Sequence, residues 1–201
     1  SDVADTDFII YHDNPIADML LPASACEDQY VQIQDNSQPF NPTLQNWINT
    51  WDTQDSLNNF GNISNPNAYY NNPGFYQVTL TIEDINGCKG EDIDTIEIFQ
   101  KPRVNFVTDS VCFNDLTSFI DSSFVVHLPA SYNWSFGDTI TNPQYQFSSC
   151  GLGQNLTELV IVDANQCSDS ITKPVYIYCL PDFSLDIDSV CFGTGELVNL
   201  E

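Results

Sequence analysis

Apolar and polar positions alternate along much of this chain, in short bursts separated by turn-forming residues. In PGFYQVTLTIEDINGC the apolar side chains fall at Tyr76, Val78, Leu80 and Ile82, the period-2 pattern of a strand with one buried face. The stretch from Leu156 to Val162 repeats that alternation and ends on the same Asp-x-Asn-x-Cys turn. A further apolar run follows each turn, Ile93-Ile96-Ile98 in the first case and Ile171-Val175-Ile177 in the second. Asn, Asp, Gly and Pro crowd the gaps, and no stretch sustains a 3.6-residue period between helix caps. The pattern predicts an all-β chain with little helix.

The alternation is part of a longer period. DSVCF occurs at residues 109–113 and again at 188–192, and Cys88 and Cys167 share the same spacing of 79 positions. Trp51 and Trp134 each follow a polar stretch, and Asn65-Pro66 and Asn142-Pro143 each precede a tyrosine. These landmarks divide the chain into four parts. Residues 1–14 match a last strand, 15–101 and 102–180 are full units, and 181–201 are the first strands of another. Each full unit holds about seven strand candidates, the size and spacing of an Ig-like sandwich. The expected architecture is therefore tandem β-sandwiches end to end, beginning and stopping in mid-repeat.

Charge narrows the partners. Four Lys+Arg against 28 Asp+Glu leave a net charge of −24, which repels nucleic acid and anionic lipid and favours hydration. No apolar run approaches the ~18 residues of a membrane span. Seven cysteines without a CxxC pair read as disulfides formed in an oxidising compartment rather than as a metal ribbon or redox motif.

Two stretches carry a family resemblance. YNWSFGDTITNPQYQF (132–147) resembles the W-x-F-G-D-G…N-P-x-x-x-Y core of polycystic-kidney-disease (PKD) domains, and GFYQVTLTIEDINGC (74–88) resembles their closing strand. The cysteine-bearing form is similar to PKD-like repeats of giant surface adhesins in bacteria with type IX secretion, many of which glide. The first unit departs, with TWDTQDSLNNFG in place of W-x-F-G-D-G and a longer insert at 36–50; the second departs at SSCGLGQN. The resemblance implies an extracellular structural or adhesive module of the cell surface.

Candidate residues follow from the Ig-like topology. Trp51 and Trp134 are expected in the two cores. Cys150 and Cys179 fall at one end of the second unit and make a sensible bridge. The other cysteines leave two schemes open. In one, Cys26 of the first unit staples to Cys167 of the second, and Cys112 and Cys88 reach into the following and preceding units. In the other, Cys26–Cys88 and Cys112–Cys167 close within units, although an Ig-like topology sets those turns at opposite ends, beyond disulfide reach.

Other side chains suggest ligands or modification. Asp52, Asp55 and Asp138 lie in Asn-rich turns that suit calcium, the one cofactor the composition favours, though no D-x-D-x-D-G loop is present. Asp-[Ser/Thr]-aliphatic tripeptides resemble the O-glycosylation motif of the same bacterial group, with acceptors Ser56, Thr95, Ser110, Thr139, Ser170 and Ser189. Trp47 and the Tyr69-Tyr70 pair are where an exposed aromatic platform for polysaccharide would be sought. N-x-[ST] sequons start at Asn62, Asn133 and Asn155.

Catalysis has little to draw on. The two histidines, His12 and His127, occupy non-equivalent places, and no carboxylate pair is singled out by spacing. The expected role is a non-catalytic extracellular stalk or filament segment, partnered by neighbouring repeats, by lateral self-association or by surface polysaccharide. Two alternatives stand beside it: a polysaccharide- or protein-binding module, and an accessory region of a secreted hydrolase.

Overall fold

A computed structural model describes residues 12–38, 48–55 and 62–182, the side chains of 152–154 excepted. Ser56, Ser189, Trp47 and Cys191 lie outside the described residues. Every regular element among them is a strand.

Eight strands enclose a first core: β1 (Met19–Leu20), β2 (Ser24–Cys26), β3 (Gln29–Gln32), β4 (Gln34–Asp35), β5 (Ile48–Asp52), β6 (Asn67–Tyr70), β7 (Gly74–Glu83) and β8 (Lys89–Phe99). One sheet runs β2-β8-β7-β5, and the opposing layer is made of the pairs β3-β6 and β1-β4. Val31, Ile33, Trp51, Ala68, Tyr70, Val78, Leu80, Ile82, Ile96 and Ile98 fill the space between the layers. Alternation dictates this, since every second residue of β7 points inward. Ile93, grouped with Ile96 and Ile98 in the sequence, is half exposed at 50%. Its odd spacing from Ile96 places it on the opposite face of the strand.

Seven further strands enclose a second core: β9 (Phe106–Thr108), β10 (Val111–Cys112), β11 (Thr117–Asp121), β12 (Ser131–Trp134), β13 (Gln144–Tyr145), β14 (Gly151–Val162) and β15 (Ser168–Tyr178). The order β10-β15-β14-β12 repeats that of the first large sheet, and β13-β11-β9 forms the facing layer. This core is richer in aromatics, with Phe106, Phe119 and Phe136 packed around Trp134 at 5.1–5.7 Å between ring centres.

The correspondence extends to single hydrogen bonds. The Asn65 Oδ1 accepts from the Asp35 N–H, and Asn142 Oδ1 from Asp121 N–H. Asp35 and Asp121 each accept the N–H two residues on, from Ser37 and Ser123. Pro66 and Pro143 carbonyls accept from Ile33 and Phe119. The Trp51 indole N–H donates to the Ile63 carbonyl at 2.8 Å and that of Trp134 to Ile140 at 2.9 Å. The two turns after the tryptophans differ in length and sequence, yet each delivers a carbonyl to the indole, which a buried ring N–H requires.

Two strand pairings were not foreseen. β2 runs parallel to the end of β8, with Cys26 opposite Phe99, and β10 runs parallel to the end of β15, with Cys112 opposite Tyr178. Each first-turn cysteine is thereby fixed at the last residue of its closing strand.

Candidate functional site

The densest unusual chemistry lies where the two cores meet. Its second-core half is the β14-β15 turn, where Asp163 Oδ1 accepts the N–H groups of Asn165 and Cys167, both at 2.9 Å. Gln166 takes φ +65° there, a left-handed conformation that lets the turn close tightly. Its first-core half is the turn after β2, where Glu27 N–H donates to the Phe99 carbonyl at 2.9 Å and Asp28 sits at φ +60°.

A disulfide joins the halves. Cys26 and Cys167 are bonded across 141 residues of sequence, with Cα atoms 5.6 Å apart, inside the range a disulfide tolerates. The within-unit alternative fails on distance. Cys26 is level with Phe99 at one end of β8, while Cys88 precedes Lys89 at the other. Eleven residues of extended chain put them about 35 Å apart. The same holds for Cys112, beside Tyr178, and Cys167, before Ser168.

Around this bond the linker is tied down by charge. The Glu27 carboxylate, 1% exposed, accepts from the Lys101 N–H at 3.0 Å and the Arg103 guanidinium at 2.8 Å. Lys101 Nζ reaches Asp28 at 2.9 Å. The Lys101 hydrogen bond holds the Asp28 carboxyl below the ordinary aspartate range, and the same bond raises the Lys101 ammonium, with Asp169 of the second core adding its field. Phe99 meets the His127 ring edge-on at 5.4 Å, and the His127 carbonyl accepts the Ala164 N–H. His127 is thus part of the junction.

The remaining candidates are dispersed. Cys150 and Cys179 are bonded at the far end of the second core, Cα atoms 5.1 Å apart; Cys88 and Cys112 are bonded to no described cysteine. Trp51 and Trp134 are 2% and 1% exposed. Asp52 accepts from the Gln54 N–H, Asp55 from Tyr69 and Asp138 from Thr139 and Ile140, so each of these carboxylates organises backbone. Among the described residues no three His, Cys, Asp or Glu side chains gather around one point. Thr95, Ser110, Thr139 and Ser170 are exposed, whereas the sequon residue Asn155 is buried against Ser149.

The tyrosine platform requires a correction. Tyr70 is 1% exposed and donates to the Thr53 carbonyl, because its position on β6 faces the core. The exposed neighbour of Tyr69 is instead Tyr30, its cross-strand partner on β3, 5.1 Å away.

No curated protein matches the chain in sequence. Solved structures that give weak likenesses include the three N-terminal domains of the bacteriophage RB49 Highly Immunogenic Outer Capsid protein, carbohydrate-binding modules of a β-sandwich superfamily, and a C-terminal intimin fragment in complex with the translocated intimin receptor intimin-binding domain. Identities are 12%, 17% and 8%, with TM-scores of 0.34, 0.42 and 0.44. The likenesses cover 82%, 75% and 82% of this chain, but only 59%, 56% and 64% of those chains, less than two thirds of each. No helix among the described residues is long and apolar enough to cross a membrane. Residues 12–98, which include the strands built around the first core, match the family model of the PKD domain.

Proposed function

We propose that this chain is a non-catalytic structural segment of a secreted surface protein, in which two PKD-like units are locked in series into a stiff spacer. The Cys26–Cys167 bond carries this reading, because it adds a covalent tie to a junction that the chain already crosses at Lys101 and Pro102. Two connections between rigid sandwiches restrict bending far more than one. The buried Glu27 carboxylate and its cationic partners fix the remaining freedom, since swinging the units apart would strand a charge without its partners. Disulfides form and persist in oxidising compartments, which fits an extracellular location. A net charge of −24 keeps such a spacer hydrated and separated from its neighbours. Exposed hydroxyls at Thr95, Ser110, Thr139 and Ser170 are open to glycosylation on the same surface.

Spin labels on one exposed strand of each unit test the reading. A narrow inter-label distance distribution in the oxidised protein that broadens in the Cys26→Ser/Cys167→Ser variant is expected. Equal, broad distributions in both would show a flexible string.

One observation favours polysaccharide binding as a second reading. Tyr30, 72% exposed, lies beside Tyr69 with Gln32 and Asn67 on the same outer face, a combination of ring faces and amides that suits sugar. Calorimetry with soluble polysaccharides tests it; heat that survives Tyr30→Ala would place any binding elsewhere.

A further inference from the structure

The structure contains one complete staple and, at its two ends, the two halves of another. We propose that Cys88 and Cys112 each form the same inter-unit disulfide with a further unit of this kind: Cys88 with a first-turn cysteine, Cys112 with a cysteine in a late hairpin. This inference rests on the stapled-spacer reading above and names the partner at each end.

Backbone identity carries it. At the hairpin, Asp84 Oδ1 accepts the N–H groups of Asn86 and Cys88 at 2.8 and 2.9 Å, as Asp163 does for Asn165 and Cys167. Gly87 takes φ +83° where Gln166 takes +65°. At the first turn, Phe113 N–H donates to the Tyr178 carbonyl at 2.8 Å, as Glu27 does to Phe99, and Asn114 takes φ +78° where Asp28 takes +60°. Cys112 is level with the last residue of β15, as Cys26 is with the last of β8. Both cysteines are therefore held in the conformation of a cysteine already bonded elsewhere in this chain.

The two thiols cannot satisfy one another. Cys88 lies at the end of β8 opposite the junction, and Cys112 at the end of β15 opposite the junction. Each long strand spans about 35 Å, so two strand lengths separate them. Neither is sequestered: Cys112 is exposed and Cys88 is half-buried.

A second observation points to a neighbour at the Cys112 end. Phe113 stands where Glu27 stands, and Leu180 where Lys101 does. The charged lock is replaced there by apolar surface, with Leu180 54% exposed. A docking unit would cover it.

The chemistry balances simply. Two thiols lose two protons and two electrons to the reactive disulfide of a thiol oxidase by exchange, and one sulfur–sulfur bond forms.

Protein isolated from its source, with thiols blocked by N-ethylmaleimide before denaturation and no reductant, tests the proposal. Cys88 and Cys112 are expected to stay unlabelled until reduction, each in a cross-linked peptide whose other strand carries a first-turn or hairpin cysteine of another unit. Gel migration before and after reduction distinguishes a unit of the same polypeptide, which leaves the mass unchanged, from a unit of a second chain, which halves it. Labelling of Cys88 or Cys112 without reduction overturns the proposal, as does a bond between them, to Cys191 or to a small thiol. Labelling of Cys26 and Cys167 as well would instead overturn the stapled-spacer reading itself.

Discussion

Glu27 and Arg103 meet at 2.8 Å across the junction, one 1% exposed and the other 49%. The asymmetry decides which partner matters. With Arg103 removed, the buried carboxylate is held, among the described residues, only by the Lys101 N–H. Glu27 replaced by its neutral isostere keeps an acceptor for both donors. Arg103→Ala is therefore expected to cost about 1–3 kcal/mol, the penalty of an under-satisfied buried group. Glu27→Gln should cost about 1 kcal/mol or less. Urea titrations of both variants measure this, and an equal or inverted ranking would show that Arg103 contributes nothing beyond solvation.

Acid should loosen the same junction through Asp28. Its carboxyl titrates below the ordinary 3.8, chiefly because Lys101 hydrogen-bonds it. A folded value below the unfolded one stabilises above the unfolded value, and that contribution disappears as pH falls through the folded value. Lys101, raised above 10.5 mainly by the same bond, contributes below 10.5 and loses its contribution as pH rises through its folded value. The pair is thus intact across the neutral range. With 28 acidic residues the whole chain responds to acid, so only a difference is informative. Between about pH 5 and 2.5 the wild type should lose more melting temperature than Asp28→Asn. Parallel acid limbs would dissociate Asp28 from the junction's stability.

Much of the fold was legible from alternation and recurrence, and most of the junction was not. Period-2 runs mark β7 and β14 because one face of each is buried, and the Asn-Pro pairs mark the turns that receive β4 and β11. The parallel β2-β8 and β10-β15 pairings left no trace, since a strand of two or three residues has no period to read. Ile93 belongs to the apolar run by identity, but its parity on β8 turns it outward. Glu27 was invisible for a different reason: one acidic residue among 28 does not stand out. Its partners did leave a signal. Two of the four basic residues, Lys101 and Arg103, fall in one three-residue linker, and such concentration in so acidic a chain points to a carboxylate nearby.

Gly90 has no room for a side chain. A Cβ there would collide with the Pro15 carbonyl and approach Ala17 N to 3.1 Å, both backbone atoms. Gly137, at φ +92°, has nothing within 4 Å of its added carbon. Gly90→Ala should therefore displace the segment entering β1. The amides of Ile16 and Met19, bonded to Gln38 and Asp92, would exchange faster. Gly137→Ala should strain its own turn and leave those amides protected. Hydrogen exchange separates the two, and unchanged protection in Gly90→Ala would show that the segment accommodates the methyl group.

Among the described residues the two cores share no buried side chain, so losses in each should add. Trp51→Phe and Trp134→Phe each remove an indole bond to a carbonyl and leave a small void, at about 1–3 kcal/mol apiece. Sites this far apart add within about 0.5 kcal/mol. A larger coupling in the double variant would mean that the junction transmits packing between cores.

Removing each disulfide should give different kinds of damage. Cys150–Cys179 closes a separation of 29 residues within one core. Its loss frees the unfolded second core and should cost about 3–4 kcal/mol by loop closure. Cys26–Cys167 closes a separation of 141 that spans both cores. The same relation gives about 5 kcal/mol, but only if both cores unfold in one step. Separate cores with separate buried residues need not do so, and each then melts while the bond constrains mainly their relative placement. Cys150→Ser/Cys179→Ser is accordingly expected to lower the melting of the second core sharply. Cys26→Ser/Cys167→Ser should leave both melting transitions nearly in place while widening the distance between them. Calorimetry on the two variants checks this. A single transition that falls for the second variant as far as loop closure allows would show that the junction folds as one cooperative body with both sandwiches.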